Sequence, residues 1–342
     1  MDAPPLRYVS TSDGYNLAYA RVGHGSPLVF VPLNFSHVQL FWRSGSILAE
    51  WLRGLSDRFE LILYDGRGQG MSTRGLSESF TALDQVTDLQ TIVDHLGLEH
   101  FVLMARGPNA HAAIRYAAAN ASRVDALLLF SLPAHGGAWP RTFAQALPAE
   151  NWKLFLQSFT AFDGRSPDPD ESVDRMAKTV TQEDWTHFIR AWIASDVRDL
   201  LPTVTVPTLV VHPQNVIQPS MDESMNLAAL VPNCRLVVIS GSTQLGDPGE
   251  GLAAVETFVS SVTRASETRP TADFPVTSPV LLSAREIEVL KLLASGLSSR
   301  EIGTSLTLSV RTVERHISNI YLKTGTHGRA QATAYAIAHR FA

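Results

Sequence analysis

Short apolar runs alternate along the first part of the chain with stretches whose apolar residues recur every three or four positions. The runs are Leu28 to Pro32, Phe59 to Tyr64, His100 to Met104, Val124 to Phe130, Thr208 to His212 and Cys234 to Ile239. Each is too short for a helix and is apolar at successive positions rather than alternate ones, which predicts strands buried on both faces. Runs of this kind separated by helical stretches define an α/β fold, a doubly wound parallel sheet with helices on either side. Between Pro133 and Pro202 the strand pattern lapses. Trp139, Trp152, Phe155, Phe159, Phe162, Trp185, Phe188 and Trp192 follow mainly helical spacings there, which predicts a helical cap over about 134–202. Taken singly, each aromatic is most simply a residue packing the cap onto the sheet, but their density is also that of an apolar cavity wall.

The pattern changes again after residue 260. Ser260 to Pro279 is rich in Ser, Thr and Pro and has no apolar period, so it reads as a connection between domains. The expected boundaries are a sheet domain over 1–263, a linker over 264–279 and a second domain over 280–342. In the last of these, Ser283 can cap a helix carrying Ile287, Leu290 and Leu293 and stopped by Gly296. Ser299 can cap a short helix with Ile302 and Leu306, Thr307 and Leu308 form a turn, and Ser309 begins a third helix. Val313, Ile317 and Ile320 give that helix its inward stripe. Its other face carries Arg311, Thr312, Glu314, Arg315, Ser318 and Asn319, with Lys323 near the end, which is the chemistry of a helix laid in a major groove.

Charge at first opposes that reading, because the chain carries a net −5. Division by domain removes the conflict. From Pro270 onward eight Lys or Arg face five Asp or Glu, about +3, which leaves about −8 on the rest. The chain has no stretch of about 18 uninterrupted apolar residues and opens on MDAPPLRYVSTSDG, so neither membrane insertion nor export is expected and the protein should stay in the cytoplasm. The lone Cys234 has no partner for a disulfide or a metal, and no cofactor or metal site is predicted.

The segment LSAREIEVLKLLASGLSSREIGTSLTLSVRTVERHISNIYLKTG resembles the LuxR/GerE helix-turn-helix family over essentially its whole length. The resemblance implies double-stranded DNA as partner. It places Ser309, Arg311, Thr312 and Lys323 at backbone phosphates and Glu314, Arg315 and Ser318 at base edges, and it makes Glu286 the acid of the first helix and His316 a support for the fold or a phosphate. It also implies a homodimer through a fourth helix, Arg329 to Ala338, that presents Gln331, Ala332 and Tyr335.

GSPLVFVPLNFSH, LILYDGRGQGMS and PTLVVH make the region from about Arg7 to Val262 resemble the α/β-hydrolase fold. An enzyme of that fold needs a nucleophile on a strand-to-helix elbow, then an acid and a histidine later in the chain. Ala105-Arg106-Gly107-Pro108-Asn109 puts glycine at the nucleophile position. Pro213-Gln214-Asn215-Val216 leaves Asn215 nearest the acid, and Ser240-Gly241-Ser242-Thr243-Gln244 puts Gln244 at the base, where an amide cannot take a proton near neutral pH. Val31-Pro32-Leu33-Asn34 lacks the glycine of the usual oxyanion turn. A receptor rather than an enzyme is expected, its pocket lined by Asn34, Arg106, Gly107, Asn109 and Gln244 and, from the cap, Trp139, Trp152, Phe159 and Trp192. The expected effector is a small apolar molecule with a carbonyl, ester or lactone. His37 and His111 are not placed like a catalytic base. Two alternatives stand: a hydrolase using Ser131 or Ser242, and a DNA-binding dimer whose first domain only oligomerises.

Overall fold

The computed structural model describes residues 3–32, 35–136, 150–163, 169–216, 219–267, 284–324, 328–329, 332–333 and 336. The chain splits into two units, Met1–Arg269 and Pro270–Ala342. In the first, each predicted run becomes a strand: β3 (Pro27–Phe30), β4 (Glu60–Tyr64), β5 (Phe101–Arg106), β6 (Val124–Phe130), β7 (Thr208–Pro213) and β8 (Cys234–Ile239). Two further strands, β1 (Arg7–Ser10) and β2 (Asn16–Val22), precede them. The sheet order is β1-β2-β4-β3-β5-β6-β7-β8, with β1, β2 and β4 antiparallel neighbours and every other pairing parallel.

Helices α1 (Val38–Arg43), α2 (Ile47–Ser56), α3 (Ala82–His95), α4 (Ala110–Ala119), α5 (Trp152–Asp163), α6 (Pro169–Ala177), α7 (Gln182–Ile193), α8 (Met221–Leu230) and α9 (Pro248–Glu267) complete this unit. Helices α3, α4 and α8 bury Leu89, Ile114 and Leu227 in one core with Val29, Ile62 and Leu127. On the opposite face α1, α2 and α9 bury Trp42, Trp51 and Phe258 with Leu28, Leu61 and Leu128. Successive side chains of a strand point to opposite faces, so a strand covered on both sides must be apolar throughout. Helix α9 runs to Glu267, past residue 263, because Val255, Phe258, Val259 and Val262 continue its inward stripe.

The cap has its own core. Trp185, 1% exposed, stacks on Phe35 with centroids 4.8 Å apart and lies 5.0 Å from Phe155 and 5.9 Å from Phe159. The cap docks through polar contacts as well. Buried Asp184 accepts from the backbone N–H of Leu76 at 2.6 Å and of Gly75 at 3.2 Å, and Gly70 N–H donates to Thr179 O at 2.8 Å. Its two connections pair with each other, Gly136 N–H donating to Ser195 O at 2.8 Å and Val197 N–H to Ala134 O at 3.0 Å. Among the described residues no helix is long and apolar enough to cross a membrane.

In the second unit α10 (Ala284–Ala294), α11 (Ser299–Leu306) and α12 (Val310–Thr324) pack Val289, Leu290, Leu293, Ile302, Val313 and Ile320 around one core. Two expectations are corrected here. The cap of α11 is Ser298, not Ser299: its hydroxyl accepts from Glu301 N–H at 3.4 Å, and Glu301 reaches back to Ser298 N–H at 2.7 Å. That reciprocal pairing needs Ser and Glu three residues apart, which only Ser298 satisfies. Ala332 does not face a second copy, because it is fully buried with Ala336 in the core of its own unit. Gln331 and Tyr335 lie outside the described residues.

Candidate functional site

Strand β5 ends at Arg106 and α4 begins at Ala110, and a single 3-10 turn, Gly107–Asn109, joins them. Gly107 has φ +56°, in the left-handed region that costs other residues about 1–2 kcal/mol. This is the sharp strand-to-helix elbow on which a hydrolase of this architecture carries its nucleophile. The position is not crowded: among the described residues, a first side-chain carbon on Gly107 would meet one atom, Gln244 Oε1, at 3.7 Å. Among the described residues packing does not impose glycine here, though its left-handed backbone favours it, and the fold brings Gln244, from the loop after β8, in front of the elbow.

Gln244 is held firmly. Ser131, at the end of β6, donates its hydroxyl to the Gln244 carbonyl at 2.8 Å and is itself fully buried with φ +44°. A serine in that strained region persists only where its surroundings fix it. The Gln244 side chain, 9% exposed, makes no hydrogen bond among the described residues. Asn215 lies on the loop after β7, is exposed, and donates its backbone N–H to Gly241 O at 3.0 Å, which ties this loop to the one carrying Gln244.

Asn109 is fully buried and its amide is spent on the framework. Its N–H donates to Pro32 O and its carbonyl accepts from Gln85 Nε2 at 3.2 Å, so it locks the loop after β3 to the elbow. Arg106 is half-buried at the strand end. Phe159 and Trp192 belong to the packed cap core, and half-buried Trp152 stacks on Phe155 at 5.4 Å. Asn34 and Trp139 lie outside the described residues. Sequence reasoning overlooked the consequence of Pro108 beside the elbow, and it named Ser131 only as an alternative nucleophile, whereas its hydroxyl is bonded to the Gln244 carbonyl. It also overlooked Asp65, a buried carboxylate that accepts from Ser36 Oγ at 2.7 Å, Val38 N–H at 2.9 Å and Met71 N–H at 3.0 Å and so joins the loops after β3 and β4. Burial pushes the Asp65 carboxyl above the ordinary range against the pull of those donors.

His111, on the first turn of α4, is a tie between elbow and cap. A carbonyl can only accept, so its Nε2–H donates to Pro133 O at 2.9 Å and its Nδ1 accepts from Ser195 Oγ at 2.9 Å. Those partners sit on the outgoing and returning connections of the cap. Burial lowers the His111 pKa to about 4, so the folded protein holds it neutral. The folded value lies below the unfolded one of about 6.5, so this stability is complete above about pH 6.5 and is lost as pH falls toward 4, about 1.4 kcal/mol per pH unit. Comparison of His111→Gln with the parent by urea unfolding at pH 7.5 and 4.5 should show the parent losing about 2.5 kcal/mol more than the variant over that interval.

His37 plays no comparable part. It is buried, caps α1 by accepting from Leu40 N–H at 3.4 Å, and burial lowers its pKa.

In the second unit, Ser309 caps α12, its hydroxyl accepting from Thr312 N–H at 3.1 Å. Exposed Glu314 and Arg315 stand opposite the buried Val313 and Ile317, with Thr312 and His316 half-buried at the margin. Arg311, Ser318, Asn319 and Lys323 are placed on the same helix, but their side chains lie outside the described residues. Glu286 is buried on α10. Gly303 on α11 is a residue that sequence reasoning missed. Leu308 N–H donates to its carbonyl at 2.8 Å, and a Cβ there would meet Leu308 O at 2.8 Å, so the turn before α12 lies directly on α11.

Residues 280–336 match the family of bacterial regulatory proteins of the luxR type, and residues 27–168 match the alpha/beta hydrolase fold family. The chain thus carries a LuxR-family DNA-binding regulatory domain fused to an α/β hydrolase-fold domain. The response regulator Rre1 of Synechocystis sp. is 37% identical over 73 residues, 21% of this chain and 32% of that protein. The chain thus spans about a third of the length of that relative, and the match lies with the regulatory domain. The first unit is similar to a hydrolase from Pseudomonas aeruginosa (TM-score 0.64, 21% identity, 77% of this chain and 99% of the other). It is also similar to a thermophilic esterase from Thermogutta terrifontis (TM-score 0.64, 22% identity, 75% and 99%). At that identity the likeness establishes the fold alone.

Proposed function

We propose that this chain is a ligand-responsive transcription regulator whose α/β hydrolase-fold domain holds a small molecule without cleaving it. The observation that carries the reading is the elbow: Gly107 stands where a nucleophile belongs, no described atom but Gln244 Oε1 lies within 4 Å of where its side chain would begin, and that amide faces it in place of a base. Pro108 follows, so the backbone N–H that an enzyme of this fold uses to hold the oxyanion does not exist here. Loss of nucleophile, base and that donor together removes nearly all of the rate that triad chemistry supplies. Gly107, Asn215 and Gln244 are on this reading the degenerate triad. The effector is a small, mostly apolar molecule with a polar carbonyl-type group, received beneath the cap.

The regulator acts on double-stranded DNA in the cytoplasm, as a homodimer on a two-fold site. Ser309, Arg311, Thr312 and Lys323 hold phosphates, and Glu314, Arg315, Ser318 and Asn319 face the bases. Ligand shifts the DNA-bound population only if it prefers one arrangement of the protein, because equal affinity for both arrangements moves nothing. A thermal-shift screen of the full chain against lactones, esters, amides and aromatic acids tests this directly. A hit recovered chemically unchanged, which also alters affinity for a duplex selected from random sequence by the protein, is the expected result. A compound consumed at enzymatic rates would replace this reading with a hydrolase.

On that selected duplex, Arg315→Ala should weaken binding by about 1–3 kcal/mol and relax base preference, whereas Lys323→Ala should weaken all sequences alike and flatten the salt dependence. Fluorescence anisotropy across a salt series separates the two effects.

The hydrolase alternative draws on one observation, the strained Ser131. Its hydroxyl proton is directed at a peptide carbonyl, which is no base, and among the described residues no histidine is hydrogen-bonded to it.

A further inference from the structure

On the sensor reading proposed above, the elbow bears on which polar group the effector carries. A site built to receive an ester or lactone presents donors to the carbonyl oxygen, the nearest being the N–H of the residue after the nucleophile. Here that residue is Pro108, which has none. The next side chain with an N–H to offer, Asn109, gives it to Pro32 O, and its own carbonyl is taken by Gln85. Two donors of the turn, the N–H after Gly107 and the Asn109 amide, are thus not offered to a lone acceptor.

Gln244 takes their place. Its side chain is nine-tenths buried, makes no hydrogen bond among the described residues, and points Oε1 to within 3.7 Å of where a Gly107 side chain would begin. Its backbone is pinned by Ser131 at 2.8 Å, and the turn beyond it is closed by Gly246 N–H donating to Thr243 O at 3.0 Å, so the amide is presented from a fixed mount. A primary amide shows a donor and an acceptor side by side in one plane. The amide still meets solvent, so a ligand that displaces that water and satisfies only one of the two groups leaves the other unmet. An ester or lactone has acceptors only. A lactam or carboxamide edge has a donor beside an acceptor in the complementary order, and among the described residues no atom but Gln244 Oε1 lies within 4 Å of where a Gly107 side chain would begin.

We propose that the effector is an amide-type molecule, a lactam or carboxamide on an apolar body, whose amide edge pairs with the side chain of Gln244 in front of Gly107. The same geometry that removed hydrolysis reads the N–H by which an amide differs from an ester. A site organised in this way discriminates by the unpaired partner it would otherwise keep, and that discrimination is much stronger than a difference of one methylene.

The test uses the full chain and matched pairs of one shape: ε-caprolactam against ε-caprolactone, 2-piperidone against δ-valerolactone, 3-phenylpropanamide against methyl 3-phenylpropanoate. Binding is read by saturation-transfer NMR and thermal shift. The expected result is that the amide member of a pair binds about tenfold more tightly or better. In Gln244→Met, which keeps the volume and removes both hydrogen-bonding groups, that preference should fall to within about twofold while the unfolding temperature without ligand is kept or raised. Equal or tighter binding of the oxygen member, or a preference that survives in Gln244→Met, overturns the amide assignment and leaves the sensor reading standing. Binding by no member of any pair overturns both.

Discussion

Gly303→Val is expected to abolish DNA binding while the unfolding transition of the α/β unit stays where it is. The Gly303 backbone carries the turn that launches α12: Leu308 N–H bonds to its carbonyl at 2.8 Å, and a Cβ would come within 2.8 Å of Leu308 O. Both neighbours are main chain, so no flexible side chain can swing aside, and a branched residue enlarges the clash. Thr307, at φ +56°, already holds the turn in a left-handed conformation that leaves it little freedom to adjust. Overpacking of this sort costs about 1–3 kcal/mol or more, and a helical unit of this size has little stability to lose. The measured outcome should be a loss of affinity of about 100-fold or more on the selected duplex, about 3 kcal/mol. Gly303→Ala should fall between the two. Gly296→Asn controls for backbone strain without a clash: its φ of +88° strains any side chain, but a Cβ there meets nothing within 4 Å among the described residues, so it should lose only a fraction of that affinity.

Trp185→Ala should melt the cap and with it ligand binding, leaving DNA affinity without ligand nearly unchanged. Trp185 is the centre of the aromatic cluster, in contact range of Phe35, Phe155, Phe159 and Phe188 at centroid distances of 4.8 to 6.0 Å. Phe35 follows the strand β3, so the same side chain ties the cap to the sheet. Removal of a fully buried indole costs about 3–5 kcal/mol, and the cavity cannot close because its walls belong to different helices. Hydrogen exchange should show loss of protection concentrated in α5 and α7, with the strands β3 to β7 still protected. Uniform loss across the sheet would mean that the cap is not a separate packing unit.

Much of this architecture is legible in the residues because burial on two faces leaves a plain signature. Val124–Phe130 and Cys234–Ile239 are strands with the same limits in sequence and structure. The β1–β2 hairpin has no such mark, because RYVS is mostly exposed and only its pairing makes it a strand. The far end of α9 is hidden by a Ser- and Thr-rich composition that resembles a linker, although Phe258 and Val262 keep a helical period. The capping signal at Ser298 was present as Ser-x-x-Glu and was masked by a second serine beside it. Ala332 misled for a different reason: a small residue fits a helix interface within one copy as well as between two.

The site divides in the same way. Gly107 at the elbow can be found by counting along a strand-turn-helix pattern, and Pro108 beside it could have been read by the same count. Its juxtaposition with Gln244, the strain at Ser131 and the use of Asn109 as a framework tie depend on contacts between segments far apart in the chain, which no local pattern records. His111 illustrates the limit most clearly. A histidine on an otherwise alanine-rich helix carries no sign of the two cap connections that fix its tautomer.

The central claim is that the pocket binds and does not cut, and labelling with an irreversible serine probe tests it most directly. Intact-mass measurement of the full chain after prolonged exposure to a fluorophosphonate, alongside turnover of p-nitrophenyl butyrate, should show unmodified protein and a rate no greater than that of the ester in buffer. A single covalent adduct on Ser131 or Ser242, with ester hydrolysis abolished when that serine is replaced by alanine, would contradict it.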